Sequence, residues 1–147
     1  MSSCPSNRGG TQRDKYIPGV DSDSDTLVFS ILNDSTGVTR DVIDRIDFNN
    51  EDKIDLPVVP TAIAAAITTG TLSTATFNAN LAAAVNAAAL PAGQAVLFDP
   101  NAGNLDQAGM VYLVVDANGI AGYQANADWV FQLENVNTTF LDPTDFI

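Results

Sequence analysis

Residues 25–56 read DTLVFSILNDSTGVTRDVIDRIDFNNEDKIDL, and the fold follows from how this stretch divides. Leu27 to Leu32 and Val42 to Phe48 are apolar runs of strand length, and Lys53 to Leu56 is a shorter third run. Asn33-Asp34-Ser35-Thr36-Gly37 and Asn49-Asn50-Glu51-Asp52 supply turn chemistry between them. Beside these runs stand Asp25, Asp34, Asp41, Asp44, Asp47, Glu51, Asp52 and Asp55, against only Arg40, Arg45 and Lys53. Carboxylates crowded next to buried strands repel one another unless a cation sits among them. Hard oxygen donors in tight turns suit calcium.

Working outward toward the N-terminus, Asp21, Asp23 and Asp25 alternate, which puts three carboxylates on one side of an extended chain. The run lacks the glycine and glutamate of an EF-hand loop. Residues 1–20 hold Arg8, Arg13 and Lys15 against Asp14 and show no periodicity. They read as a flexible or docking N-terminal arm, and residues 21–147 as a single β-rich domain. No apolar core of a secretory signal peptide occurs in MSSCPSNRGGTQRDKY, so an export signal is expected elsewhere.

Toward the C-terminus, residues 61–90 read as two alanine-rich helices. The first covers Ala62 to Ile67 and the second starts near Ser73 or Thr74. In the second, Phe77, Leu81, Ala84, Val85 and Ala88 form an amphipathic stripe for core packing. Gln94 to Phe98, Met110 to Asp116, Ile120 to Ala125 and Trp129 to Leu133 read as strands. Asn118-Gly119 is the strongest hairpin signal in the chain, and the last three strands read as an antiparallel meander. The expected class is therefore mainly β with some α (α+β). The expected architecture is an antiparallel β-sandwich or roll-like module carrying one or two short alanine-rich helices.

Charge narrows the function. The chain has 147 residues and a net charge of −12, and residues 54–147 contain no Lys or Arg but eight acids. Nucleic acid and anionic membranes would repel such a body. No run is long and apolar enough for a membrane span. The single cysteine, Cys4, excludes an intrachain disulfide. The absence of histidine removes Ser-His-Asp and Cys-His catalysis and His/Cys zinc sites, and neither a Walker A nor a Rossmann glycine loop occurs. The chain is expected not to be an enzyme.

The runs DTLVF, D-x-I-D-x-I-D-F (41–48) and EDKIDL (51–56) resemble the C-terminal module of bacterial RTX-type (repeats-in-toxin) exoproteins, which bind calcium and leave the cell by type I secretion. The resemblance continues through QAVLFDPNAG (94–103), MVYLVVDANGIAGYQANADWVFQLENV (110–136) and the terminal DFI. One departure is large: the glycine-rich nonapeptides that form the β-roll of that family are absent. What the resemblance implies is a calcium site drawing on Asp25, Asp44, Asp47, Asp52 and Asp55, and an uncleaved export signal in residues 142–147. It implies a secreted or cell-surface, calcium-responsive structural protein, a subunit of a surface layer, matrix or filament. A homo-oligomer or larger assembly is the expected partner, with the basic arm of one copy meeting the acidic body of the next. The alternative is a bacteriophage virion protein, such as a capsid decoration or tail component, to which a small acidic β-rich chain with an ordered arm is equally suited.

Overall fold

A computed structural model of the chain describes residues 12–18 and 22–147. Seven strands and one α-helix are present among them: β1 (Lys15–Tyr16), β2 (Thr26–Val28), β3 (Asp41–Asp44), β4 (Lys53–Asp55), α1 (Phe77–Ala84), β5 (Ala95–Phe98), β6 (Met110–Val115) and β7 (Trp129–Glu134). The class is mainly β with α, as its sequence predicts. Five strands form one mixed sheet in the order β1-β3-β7-β6-β5, and β2 pairs with β4 in a second sheet. The antiparallel part is β5-β6-β7, while β1 and β3 join β7 in parallel.

The centre of the large sheet is apolar on both faces. Along β6 and β7, Leu113, Val115, Trp129, Phe131 and Leu133 point to one side, where they meet Leu27, Phe29, Ile54, Leu56 and Phe146 of the small sheet and the C-terminus. Tyr112, Val114 and Val130 point to the other, against Leu72, Phe77, Leu81 and Val85. The molecule is thus three layers deep: two strands, five strands, then α1 with its flanking chain. A strand buried on both faces reads as a continuous apolar run, which MVYLVV is.

The expected strands around Asp25 to Leu56 are shorter than their apolar runs. The run from Leu27 ends as a strand at Val28, although the Phe29 N–H still reaches Asp55 O at 3.0 Å, and residues 32–34 then turn as a 3-10 helix. β3 stops at Asp44 because Arg45 takes a left-handed backbone at φ 62°. Ile46 and Phe48 remain buried, so the apolar run marks the core beyond the strand.

Two elements differ from the sequence reading. Ala62 to Ile67 is not helical. It runs extended along β5, with the Ala64 N–H on Ala95 O at 2.7 Å and the Ile67 N–H on Leu97 O at 2.9 Å. The otherwise open edge of β5 offers partners that alanine propensity cannot outweigh. Ile120 to Ala125 is not a strand, and β6 pairs directly with β7. Its backbone donors go elsewhere, Gly122 N–H to Leu90 O and Tyr123 N–H to Val85 O, both at 2.8 Å. Gly122, at φ 84°, passes so close to Ala87 that a Cβ would lie 2.8 Å from the Ala87 nitrogen. Tyr123 is buried between these contacts.

The second helix forms over only part of its stripe, Phe77–Ala84, with Val85 as its C-cap and Ala88 beyond its end. A 3-10 turn at Thr74–Thr76 leads into α1, and Phe77, Leu81 and Val85 are buried while Ala88 is exposed.

Candidate functional site

The aspartates named by the resemblance fall into separate neighbourhoods. Asp25, Asp47 and Asp52 meet at one corner, where the turn after β3 approaches the start of β2. Asp52 is 1% exposed and lies between the other two. Its Oδ1 accepts the Asp25 N–H at 2.9 Å and its Oδ2 accepts the Asp47 N–H at 2.8 Å. The Asp47 carboxylate accepts the Asn49 N–H at 3.1 Å and so caps the 3-10 turn of residues 48–50. Glu51 then reverses the chain with a left-handed φ of 64°, and the Lys53 N–H donates to Asp25 O at 2.8 Å. Burial pushes the Asp52 carboxyl above the usual aspartate range, the nearby charges of Asp25 and Asp47 add to this, and the two N–H donors oppose it.

Asp44 and Asp55 stand apart from this corner. Asp44 faces Lys15 at 3.2 Å, Arg45 at 3.4 Å and the Asn135 amide at 3.1 Å. The Asn135 hydrogen bond is the largest influence holding its carboxyl below the ordinary value. Asp55 ends β4 opposite Val28, half-buried. Among the described residues no three His, Cys, Asp or Glu side chains are grouped as metal ligands. Carboxylate and carbonyl oxygens at the corner suit a calcium ion by donor type, but both Asp52 oxygens are already engaged by N–H groups.

The same arrangement recurs at aspartates outside the expected calcium ligands. Asp41, fully buried on β3, accepts the Asp14 N–H at 2.8 Å through Oδ1. Its Oδ2 and the Tyr16 Oη are buried and interact with one another, without the geometry of a full hydrogen bond. Burial lifts Asp41 to about 7. Asp116 accepts N–H groups from Gly93 at 2.6 Å and from Asn118 and Gly119 at 3.0 Å each. Asp128, fully buried, accepts them from Ala117 at 3.1 Å and Gln124 at 2.7 Å. Burial moves Asp128 up to about 6, with Asp116 adding to the shift. Asp145 holds the Asp142 N–H at 2.8 Å. In each case a short carboxylate satisfies buried donors of a loop that no strand serves. The available signal was an aspartate flanking an apolar run, which does not separate a loop fastener from a ligand.

The N-terminal arm contributes a third feature. Residues 13–16 lie along the outer edge of β3, the Val42 N–H donating to Asp14 O at 2.8 Å. Lys15 Nζ reaches Glu134 at 3.0 Å as well as Asp44. Arg13 and the buried Arg40 both donate to Gln132 Oε1, at 2.7 and 3.1 Å. The Arg40 guanidinium lies 4.1 Å from the centre of the Phe77 ring. The remainder of the arm, with Arg8 and Cys4, lies outside the described residues, as does Asp21.

An open cleft of about 660 Å³ separates the loop at Asp99–Asn101 from residues 106–111 and 135–137. Its carboxylates, Asp99 and Asp106, are both exposed. No helix among the described residues is long and apolar enough to cross a membrane. No protein-family model matches the chain, and no curated protein matches it either.

Proposed function

We propose that the chain is a non-catalytic, calcium-responsive structural subunit of an extracellular assembly, exported by type I secretion. The observation that carries the assembly half of this reading is the separation of charge. Arg13, Lys15 and Arg45, all exposed, gather on and beside β1 and β3 at one edge of the large sheet, whereas residues 54–147 carry no basic residue. A body polarised in this way attracts the acidic surface of another copy, and a head-to-tail contact of that kind propagates unless it closes into a ring.

What supports calcium is the donor chemistry of Asp25, Asp47 and Asp52 together with the family resemblance. Asp25, Asp47 and Asp52 would hold the ion, which would supply positive charge among their carboxylates. A bound cation supplies charge neutralisation at this crowded corner. An ion that binds only the folded chain stabilises it by mass action, so millimolar calcium outside a cell favours the fold more than low cytosolic calcium does.

Light scattering on the purified chain tests both halves, in millimolar calcium and in chelator, each at low and molar salt. Multimers that form in calcium and weaken with salt are expected. A monomer under all four conditions overturns the reading.

A further inference from the structure

We propose that the N-terminal strap, residues 12–18, is a pH-operated latch: it lies on β3 while Asp41 is protonated and leaves that edge when Asp41 ionises. The device goes beyond the assembly reading and does not rest on it.

Side chains alternate between the two faces of β1 and β3. On one face the strap is held by its bases, Lys15 on Asp44 and Glu134 and Arg13 on Gln132. On the other face Tyr16 packs against Phe29, and Asp41 stands in register with the fully buried Phe131 of β7. Both Asp41 oxygens look to the strap. Oδ1 accepts the Asp14 N–H at 2.8 Å, and Oδ2 meets the Tyr16 Oη. β1 is the terminal strand on this side of the sheet, so undocking the strap takes both groups away and admits water to the carboxyl.

The surroundings of Asp41 set the direction. Asp14 of the strap and Asp34 of the 3-10 turn ahead of β3 bring negative charge to it, while β7 adds only apolar surface. Among the described residues no base pairs with Asp41, and its chain neighbour Arg40 donates to Gln132 and Gly37 instead. Protonated, the carboxyl is a neutral group in the core. Ionised, it is a buried anion facing further carboxylates, and hydration relieves it. Burial lifts Asp41 to about 7, with the Asp14 N–H opposing and the charges of Asp14 and Asp34 adding to the rise. Once the strap leaves, the carboxyl returns toward the ordinary aspartate range. The docked form therefore binds the proton more tightly, and docking weakens as pH rises through about 7. Lys15 is shifted up and Asp44 down, so the ion pairs on the first face keep their charges across this range.

Trypsin reads the latch, because a docked segment is cut only in proportion to the time it spends open. The parent and Asp41→Asn, which cannot ionise and keeps an acceptor for Asp14, are digested briefly at pH 6 and pH 8.5. Mass spectrometry follows cuts after Arg13 and Lys15, and a free peptide of residues 10–20 digested in parallel corrects for the protease's own pH dependence. In the parent the corrected rate should rise about tenfold from pH 6 to pH 8.5, leaving a body that remains uncut at Lys53 in β4. In Asp41→Asn the rate should stay level. A parent rate that does not change with pH overturns the latch, as does an equal rise in Asp41→Asn. Strap cuts that appear only together with cuts at Lys53 overturn it too, since the whole fold would then be opening. Should Asp41→Asn fail to fold, the pH course of the parent and the survival of its body decide alone.

Discussion

The Tyr16 ring stands edge-on to Phe29, with the ring planes at 79°. Phe29 in turn lies 4.7 Å from Phe131 and 6.1 Å from Trp129 by ring centroids. The strap is thus joined to the middle of the core by one aromatic residue. Tyr16→Ala removes a buried ring, and a loss of about 3 kcal/mol is expected in chemical denaturation. The hydroxyl meets only the Asp41 carboxyl, without the geometry of a full hydrogen bond, so Tyr16→Phe should change stability by less than about 1 kcal/mol. Equal effects of the two substitutions would show that the ring does not anchor the strap.

Buried aspartates give the fold an inverted response to mild acid. Asp41 at about 7 and Asp128 at about 6 bind protons more tightly folded than unfolded, and burial is the main cause at both. Between their unfolded values near 4 and these raised values, the folded chain holds more protons, so stability falls as pH rises. The melting temperature should therefore increase by a few degrees from pH 7.5 to pH 5. It should fall again below about pH 4, where Asp44, held low by Asn135 and Lys15, loses its charge. Asp128→Asn should flatten part of the slope between pH 5 and 7. A melting temperature that declines steadily from pH 7.5 downward would contradict this assignment.

How far the sequence exposed the fold depended on whether local pattern and tertiary context agreed. MVYLVV and WVFQLE are buried on both faces and could be read as strands without knowing their partners. Phe77 and Leu81 share the buried face of α1, with Val85 buried at its C-cap, and that spacing carries its own meaning. Ala62 to Ile67 failed because alanine-rich sequence describes a preference, while the edge of β5 supplied hydrogen bonds from residues 93–102 that no local pattern announces. Asn118-Gly119 does form a turn, but Asp116 holds both of its N–H groups, and Tyr123 then leaves for the helical layer. At the candidate site, an acidic region was legible from its turns, while the bridging of Asp25 and Asp47 by Asp52 depends on a tertiary contact. The separate engagement of Asp44 was not legible, because Lys15, Glu134 and Asn135 come from distant parts of the chain.

Asp52 should be the most sensitive residue of the acidic corner. Replacing it with alanine strands the buried N–H of Asp25 and the part-buried N–H of Asp47. A loss of about 2 to 4 kcal/mol is expected from the two orphaned donors. Asp52→Asn keeps one acceptor and should lose less. If calcium enters this corner, the rise in melting temperature that it gives the unsubstituted chain should vanish in both variants. Asp55→Asn, whose residue lies apart from the corner, should retain it. A calcium shift that survives Asp52→Asn unchanged places the ion elsewhere.

Arg40 is 4% exposed, and among the described residues no carboxylate lies within salt-bridge distance of it. Its charge is accommodated by the faces of Phe77 and Tyr112, at 4.1 and 5.4 Å, and by the oxygens of Gln132 and Gly37. Planarity makes this arrangement work, because a guanidinium stacks on a ring while donating in its own plane. Arg40→Lys keeps the charge but concentrates it on a strongly hydrated ammonium, and a cost of about 2 kcal/mol is expected. Arg40→Met removes the charge and preserves the length of the side chain. It strands no carboxylate, because none pairs with Arg40, and the Gln132 amide oxygen retains Arg13, so it should cost less than the lysine variant. Chemical denaturation of the three proteins should rank them arginine, methionine, lysine. A lysine variant as stable as the parent would mean that a point charge suffices at this position and that the ring contacts contribute nothing.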